Sequence, residues 1–144
     1  MAEIARFQLS HYEEVMALWQ RTEGLTLRAV DSREGLTRYL DRNPGLSFLA
    51  LDEGRIVGAV LGGHDGRRGY LHHLAIAPTH RRRGLGRALS EQVLAGLKGE
   101  GIVRCHLFVH ANNVGARAFW KRVGWAERED LVLVSHTDPA VSDA

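Results

Sequence analysis

The stretch "YLHHLAIAPTHRRRGLGRALSEQVLAGL", Tyr70 to Leu97, decides the fold. Its first nine residues are mostly apolar and read as a strand closed by Pro78. Further on, Leu85, Leu89, Val93 and Leu97 recur at four-residue steps, which is one apolar face of a helix. Between strand and helix stand Arg81, Arg82 and Arg83, then Gly84 and Gly86 separated by Leu85, then Arg87. Such a run can be a solvated helix start, a grip on nucleic acid, or a cradle for a phosphate. Its position between strand and helix favours the cradle. Glycines let backbone N–H groups come close to an anion, and the start of a helix adds its dipole. The dinucleotide fingerprint G-x-G-x-x-G is incomplete, because Leu89 stands where the third glycine belongs, and no G-x-x-x-x-G-K-[ST] run occurs.

Outward from this stretch the chain alternates between two periodicities. "EIARF" (3–7) reads as a first strand, and Ser10 with Glu13 as a capping box for a helix bearing Tyr12, Val15, Met16 and Trp19 on one face. A second helix is capped by Asp31 or Ser32 and stopped by "NPG" (43–45). "SFLALD" (47–52) and "RIVGAVLGG" (55–63) are strands, and "HDG" (64–66) turns the latter into the strand at Tyr70. Beyond the Leu85 helix come a strand "IVRCHLFVH" (102–110), a helix with Ala116, Phe119, Trp120 and Val123 on one face, and a last strand "LVLVSH" (131–136). The expected architecture is α/β (α+β), an antiparallel meander feeding a β-α-β-α-β half.

A chain of 144 residues, 44% hydrophobic and 25% charged, fits one domain over residues 1–144, with about 137–144 a flexible tail. No apolar run approaches the roughly 20 residues that span a membrane. "MAEIARF" lacks an apolar export signal, so a cytoplasmic protein without a membrane partner is expected. The single cysteine, Cys105, excludes an internal disulfide and a multi-cysteine zinc site. Nineteen Lys+Arg against 17 Asp+Glu give a net charge of only +2, a weak basis for nucleic-acid binding, and no such partner is expected.

On the Tyr70 strand, alternation sends Tyr70, His72 and Leu74 to one face and Leu71, His73 and Ala75 to the other. His72 is a candidate base, since an imidazole titrates near neutral pH, and equally a satisfied core or rim histidine. His73 reads as structural. Adjacent strand histidines diverge too far to share a metal, so no metal site is expected. Cys105 reads as a buried thiol. His110, Arg67 and Arg68 read as solvent-facing or as contacts for a passing substrate.

Taken together, these residues resemble the GCN5-related N-acetyltransferases (GNAT). Arg81–Gly86 matches the family's R/Q-x-x-G-x-G/A signature, "LAIAP" looks like its fourth strand, and "NNVGARAFWKRVGW" (112–125) looks like its later motif. The resemblance implies a mixed, mostly antiparallel central sheet of six to seven strands with about four helices on both faces. It also implies acetyl transfer from acetyl-CoA to a primary amine of a small molecule or peptide, by direct attack in a ternary complex.

In that likeness the loop amides from Arg82 through Arg83, Gly84, Leu85 and Gly86 to Arg87, with Arg81 beside them, hold the pyrophosphate of coenzyme A. Backbone groups at Leu74, Ala75 and Ile76 pair with the pantetheine arm. Asn113 hydrogen-bonds the arm further along, and Ala116, Phe119 and Trp120 flank it. Many family members carry a tyrosine acid at the position of Trp120, which is also a good packing residue. That role does not carry over, leaving water, Tyr70 or an unassisted thiolate. A catalytically weak acyl-CoA sensor is the alternative reading. Homodimers are frequent in the family. "GGHDGRRGYLHHLA" looks like a bacterial subfamily of mostly unassigned substrates, and the segment from Glu23 to Arg38, where the family builds its acceptor pocket, names no acceptor.

Overall fold

The structure is a computed structural model that describes residues 2–141 and 143–144. In chain order the elements are β1 (Glu3–Arg6), α1 (Tyr12–Gln20), α2 (Arg33–Arg42), β2 (Phe48–Asp52), β3 (Arg55–His64), β4 (Gly69–Ile76), α3 (Leu85–Gly99), β5 (Cys105–His106) and α4 (Val114–Arg122). The strands lie side by side in sequence order, antiparallel from β1 to β4, with β5 parallel to β4. The chain divides into two compact units: Met1–Phe108 holds the sheet and α1 to α3, and Val109–Ala144 holds α4.

Local chemistry accounts for most boundaries. Ser32 caps α2, its hydroxyl accepting from the Gly35 N–H at 3.1 Å. The helix stops at Asn43, ahead of Pro44 and a left-handed Gly45. Glu53 and Gly54 both have positive φ, the two-residue turn that suits the twist of a hairpin between β2 and β3. The expected cap of α1 is not made by Ser10. That residue lies in a 3-10 turn, Leu9–His11, which His11 closes by accepting the Gln8 N–H on its Nδ1 at 3.0 Å.

Neighbouring glycines of β3 show how the helices lie on the sheet. A Cβ on Gly62 would run into Val93 of α3, whereas one on Gly63 would sit 2.5 Å from the Tyr39 hydroxyl of α2. Successive strand residues face opposite ways, so α2 and α3 cover opposite faces. Leu89, Val93 and Leu97 of α3 are buried on one side, and Val15, Leu18, Trp19 and Leu36 of α1 and α2 are buried as well. Each such side chain contributes about 1.5–3 kcal/mol by leaving water.

The sheet has five strands among the described residues, fewer than the six to seven expected. The strand expected over 102–110 is reduced to Cys105–His106. No strand forms over 131–136, where Leu131, Val132, Leu133 and Val134 are 61–87% exposed. A β-prone sequence becomes a strand only where a partner edge and a face to pack on are supplied. The alternation expected along β4 also fails. Ala59 faces Ala75 but Leu61 faces His72, so one residue of β3 spans two of β4, His73 and Leu74. This bulge places His73 at φ 55°.

Candidate functional site

The start of α3 leaves its backbone donors open. Gly84 enters the helix at φ 80°, no side chain caps the first turn, and that turn carries no acidic residue. The first N–H groups of the helix therefore lack intrahelical partners. A Cβ on Gly84 would touch nothing within 4 Å, so the glycine faces open space and is needed for its φ. Gly86 is buried, which brings the first turn close to the sheet, while Leu85 is half-buried. Arg81, Arg82, Arg83 and Arg87 are all exposed around this point. They are not equivalent. Arg81 donates from Nε to the Ile76 carbonyl at 3.0 Å, and Arg87 lies 3.7 Å from Glu91 one turn along. Arg82 sits in the left-handed region at φ 64°. The preceding turn is pinned by His80, whose ring bonds Asp52 at 2.7 Å and the Thr79 hydroxyl at 2.7 Å.

Beside this helix start, β4 has an incomplete edge. β5 pairs with it only at Gly69 and Tyr70, so from Leu71 through Leu74, Ala75 and Ile76 that edge has no strand partner among the described residues. An extended ligand backbone can add to such an edge as a strand would.

The bulge in β4 corrects the expected division of the histidines between two faces. His73 bonds the buried Asp31 at 2.9 Å, its carbonyl accepts the Trp19 indole N–H at 3.0 Å, and its ring lies 5.0 Å from the Trp19 ring. His72 lies edge-on to Tyr39 of α2 at 6.2 Å and stacks on Tyr70 at 6.3 Å. Both imidazoles thus turn toward helices α1 and α2, with 6.5 Å between ring centres. Leu74 follows the bulge and does not continue the His72 face, because Ile76 beyond it packs with Gly58 against Leu89 of α3. Phe108 extends the aromatic run, stacked on Tyr70 at 6.3 Å and on His72 at 6.4 Å.

Burial pulls the His72 pKa below 6.5, nearby His73 adds to the effect, and Asp31 opposes it. The imidazole is therefore neutral at neutral pH and able to take a proton. It lines an opening of about 280 Å³ together with Tyr39, Arg42, Asn43, Gly63, His64, Asp65 and Tyr70. Apart from His72 and Tyr70, none of these was legible as a site residue. The one local signal is the three-residue spacing of Tyr39 and Arg42, which places both on one face of α2. Cys105 is half-buried in β5, and burial pushes its thiol up to about 11, which disqualifies it as a nucleophile at neutral pH.

In the second unit, Asn113 caps α4, its Oδ1 accepting the Ala116 N–H at 3.1 Å. This leaves the amide nitrogen of Asn113 to donate elsewhere. Phe119 and Trp120 meet edge-on at 4.9 Å, and Trp120 meets Trp125 at 5.0 Å, so Trp120 has a packing role within its own unit. Arg117 closes the unit by a two-pronged contact with Glu127 at 2.7 and 2.8 Å.

Comparison with known proteins agrees with the fold. Residues 12–125 match the profile of the Acetyltransferase (GNAT) family. An acetyltransferase of Pectobacterium atrosepticum is 35% identical over 131 residues, covering 91% of this chain and 92% of the relative. One of Sodalis glossinidius is 31% identical over 132 residues, covering 92% of each. The fold is similar to that of the PaiA N-acetyltransferase of Thermoplasma acidophilum in complex with coenzyme A, with a TM-score of 0.76, 19% identity, and coverage of 98% of this chain and 95% of that one. The chain belongs to the GNAT family and is an acetyltransferase.

Proposed function

We propose that this enzyme transfers an acetyl group from acetyl-CoA to a primary amine of a small molecule or peptide, with both ligands bound at once. The carrying observation is the start of α3, an uncapped helix N-terminus entered through a left-handed glycine and ringed by four exposed arginines. In this reading the amides from Arg82 to Arg87 hold the pyrophosphate. The free edge of β4 at Leu74, Ala75 and Ile76 supports an extended pantetheine arm. Arg81 also ties its guanidinium to the Ile76 carbonyl, which fixes the end of that edge. The reading includes the cytoplasmic setting that the sequence suggests.

When bound, acetyl-CoA supplies an activated thioester whose carbonyl carbon gains a bond to the amine nitrogen as its bond to sulfur breaks. The protein must deal with the amine's proton. An alkylamine of pKa near 10.4 is neutral in only about one molecule in 2,500 at pH 7, a cost of roughly 4.6 kcal/mol. His72, held neutral by burial and facing the 280 Å³ opening, is the group proposed to take that proton. Tyr70, stacked nearly parallel to it at 5°, is the hydroxyl proposed to donate toward the leaving sulfur, since the indole of Trp120 is no workable acid.

The test is release of free thiol from acetyl-CoA in the presence of a panel of primary amines. Thiol release should depend on amine and fall roughly 100-fold in His72→Ala, with acetyl-CoA affinity unchanged. Thiol release that ignores added amine would contradict transfer. An undiminished His72→Ala enzyme would remove His72 from its role.

A further inference from the structure

The opening beside His72 carries polar groups that the fold leaves unused. The Tyr39 hydroxyl is buried and has no hydrogen-bond partner among the described residues. Burial raises its pKa, so it stays an O–H donor. Arg42, three residues further along α2, is exposed at the rim and forms no ion pair or hydrogen bond with another described residue. The two lie on one face of the helix, so α2 brings two hydrogen-bond donors to the opening.

Other lining groups accept. Asp65, which also lines the opening, takes the backbone N–H groups of Arg67 and Arg68 on Oδ1, each at 2.8 Å, which holds its carboxyl anionic. The ring nitrogens of His72 bond no described residue. Of the remaining lining groups, Asn43 and His64 are engaged. Asn43 accepts from the His64 N–H at 3.0 Å and donates to the Tyr39 carbonyl at 3.3 Å, and the His64 ring pairs with Glu100 at 2.9 Å. Gly63 preserves the arrangement, because a Cβ there would displace the Tyr39 hydroxyl.

From this polarity we propose that the acceptor is a small amine carrying a carboxylate a few bonds from its nitrogen, with the nitrogen between Asp65 and His72 and the carboxylate on Arg42 and Tyr39. The inference rests on the acetyltransferase reading above. A 6.2 Å separation of the His72 and Tyr39 rings and an opening of about 280 Å³ suit an amino acid with a short chain. A diamine would bring its second positive charge against Arg42. A neutral alkyl tail would leave the Tyr39 hydroxyl the partnerless buried donor it already is, whereas a carboxylate would supply its missing acceptor.

The test is calorimetric titration of the enzyme saturated with coenzyme A. The probes are glycine, 3-aminopropanoate, 4-aminobutyrate and 5-aminopentanoate against n-butylamine and putrescine. The same titrations are run on Arg42→Gln and Tyr39→Phe, with acetyl-CoA titrated into every variant. At least one carboxylated probe should bind roughly tenfold or more tightly than n-butylamine. Arg42→Gln should erase that preference, Tyr39→Phe should reduce it, and acetyl-CoA affinity should not move. Equal or tighter binding of n-butylamine or putrescine overturns the proposal. So does absence of binding by every carboxylated probe at millimolar concentrations, or a preference that survives both substitutions. Any of these with acetyl-CoA still bound leaves the transferase reading standing, whereas a wild-type enzyme that fails to bind acetyl-CoA sinks both.

Discussion

Replacing Asp31 with alanine tests the device that holds the bulge of β4. Asp31 is only 4% exposed. Its Oδ2 accepts the Arg28 N–H at 2.9 Å and its Oδ1 bonds His73 Nε2 at 2.9 Å. Alanine strands both partners. A buried donor left without an acceptor costs about 1–3 kcal/mol, and the His73 side chain is 21% exposed, so water recovers part of its loss. The expected destabilisation is about 2–4 kcal/mol. Unfolding entropy of about 2.1 cal/mol/K per residue makes each kcal/mol worth about 3 °C in a chain of this length, so Tm should fall by about 7–13 °C. Asp31→Asn keeps one acceptor and should lose about half as much. Differential scanning calorimetry measures both. The substitutions also have an electrostatic signature, because the Asp31 carboxylate is the one contribution that lifts the His72 pKa. Removing its charge lowers that pKa further, so the acid limb of kcat/KM should move to lower pH in both variants. A Tm loss under about 3 °C for Asp31→Ala, or an acid limb that moves up, would refute the reasoning.

Three further outcomes are expected. The folded-state pKa of His72 lies below its unfolded value near 6.5, so the unfolded chain binds more protons and stability falls as pH drops below about 6.5. His72→Gln should flatten that dependence by up to about 1.4 kcal/mol per pH unit, read from urea midpoints across pH. Gly63→Ala sets a Cβ 2.5 Å from the Tyr39 hydroxyl and 2.7 Å from Asn43, and should destabilise by about 1–3 kcal/mol in chemical denaturation. Asn113→Ala removes the cap of α4 and should cost about 1 kcal/mol, visible as faster hydrogen exchange at the Ala116 amide.

The strand, turn and helix from Tyr70 to Leu97 were legible because each signal is local. Apolar residues at four-residue steps, a proline after the strand and a glycine needing positive φ all act within a few positions of themselves. The Ser32 cap and the Asn43 stop of α2 are local in the same way. The bulge was not legible, since nothing in "LHHLA" distinguishes it from a regular strand. It arises where His73 meets Asp31 and Trp19, residues 42 and 54 positions away. "LVLVSH" shows the converse, a β-prone pattern with no partner edge among the described residues. Tyr39 and Arg42 likewise acquire meaning only once β3 and the hairpin carry Gly63 and Asp65 to them. The proposed phosphate cradle could be read from one segment. The proposed acceptor site required the sheet.

Calorimetric titration with acetyl-CoA, and with adenosine as a ligand lacking the pyrophosphate, tests the cradle at the start of α3 most directly. Gly84→Asp is the matched variant, because aspartate tolerates positive φ better than most residues and adds a negative charge where the phosphates are expected. The account predicts that acetyl-CoA binds, that adenosine binds far more weakly, and that the variant keeps its fold by circular dichroism while losing roughly tenfold or more in acetyl-CoA affinity. A wild-type protein that binds adenosine and acetyl-CoA equally, or a folded Gly84→Asp variant with undiminished acetyl-CoA affinity, would contradict it.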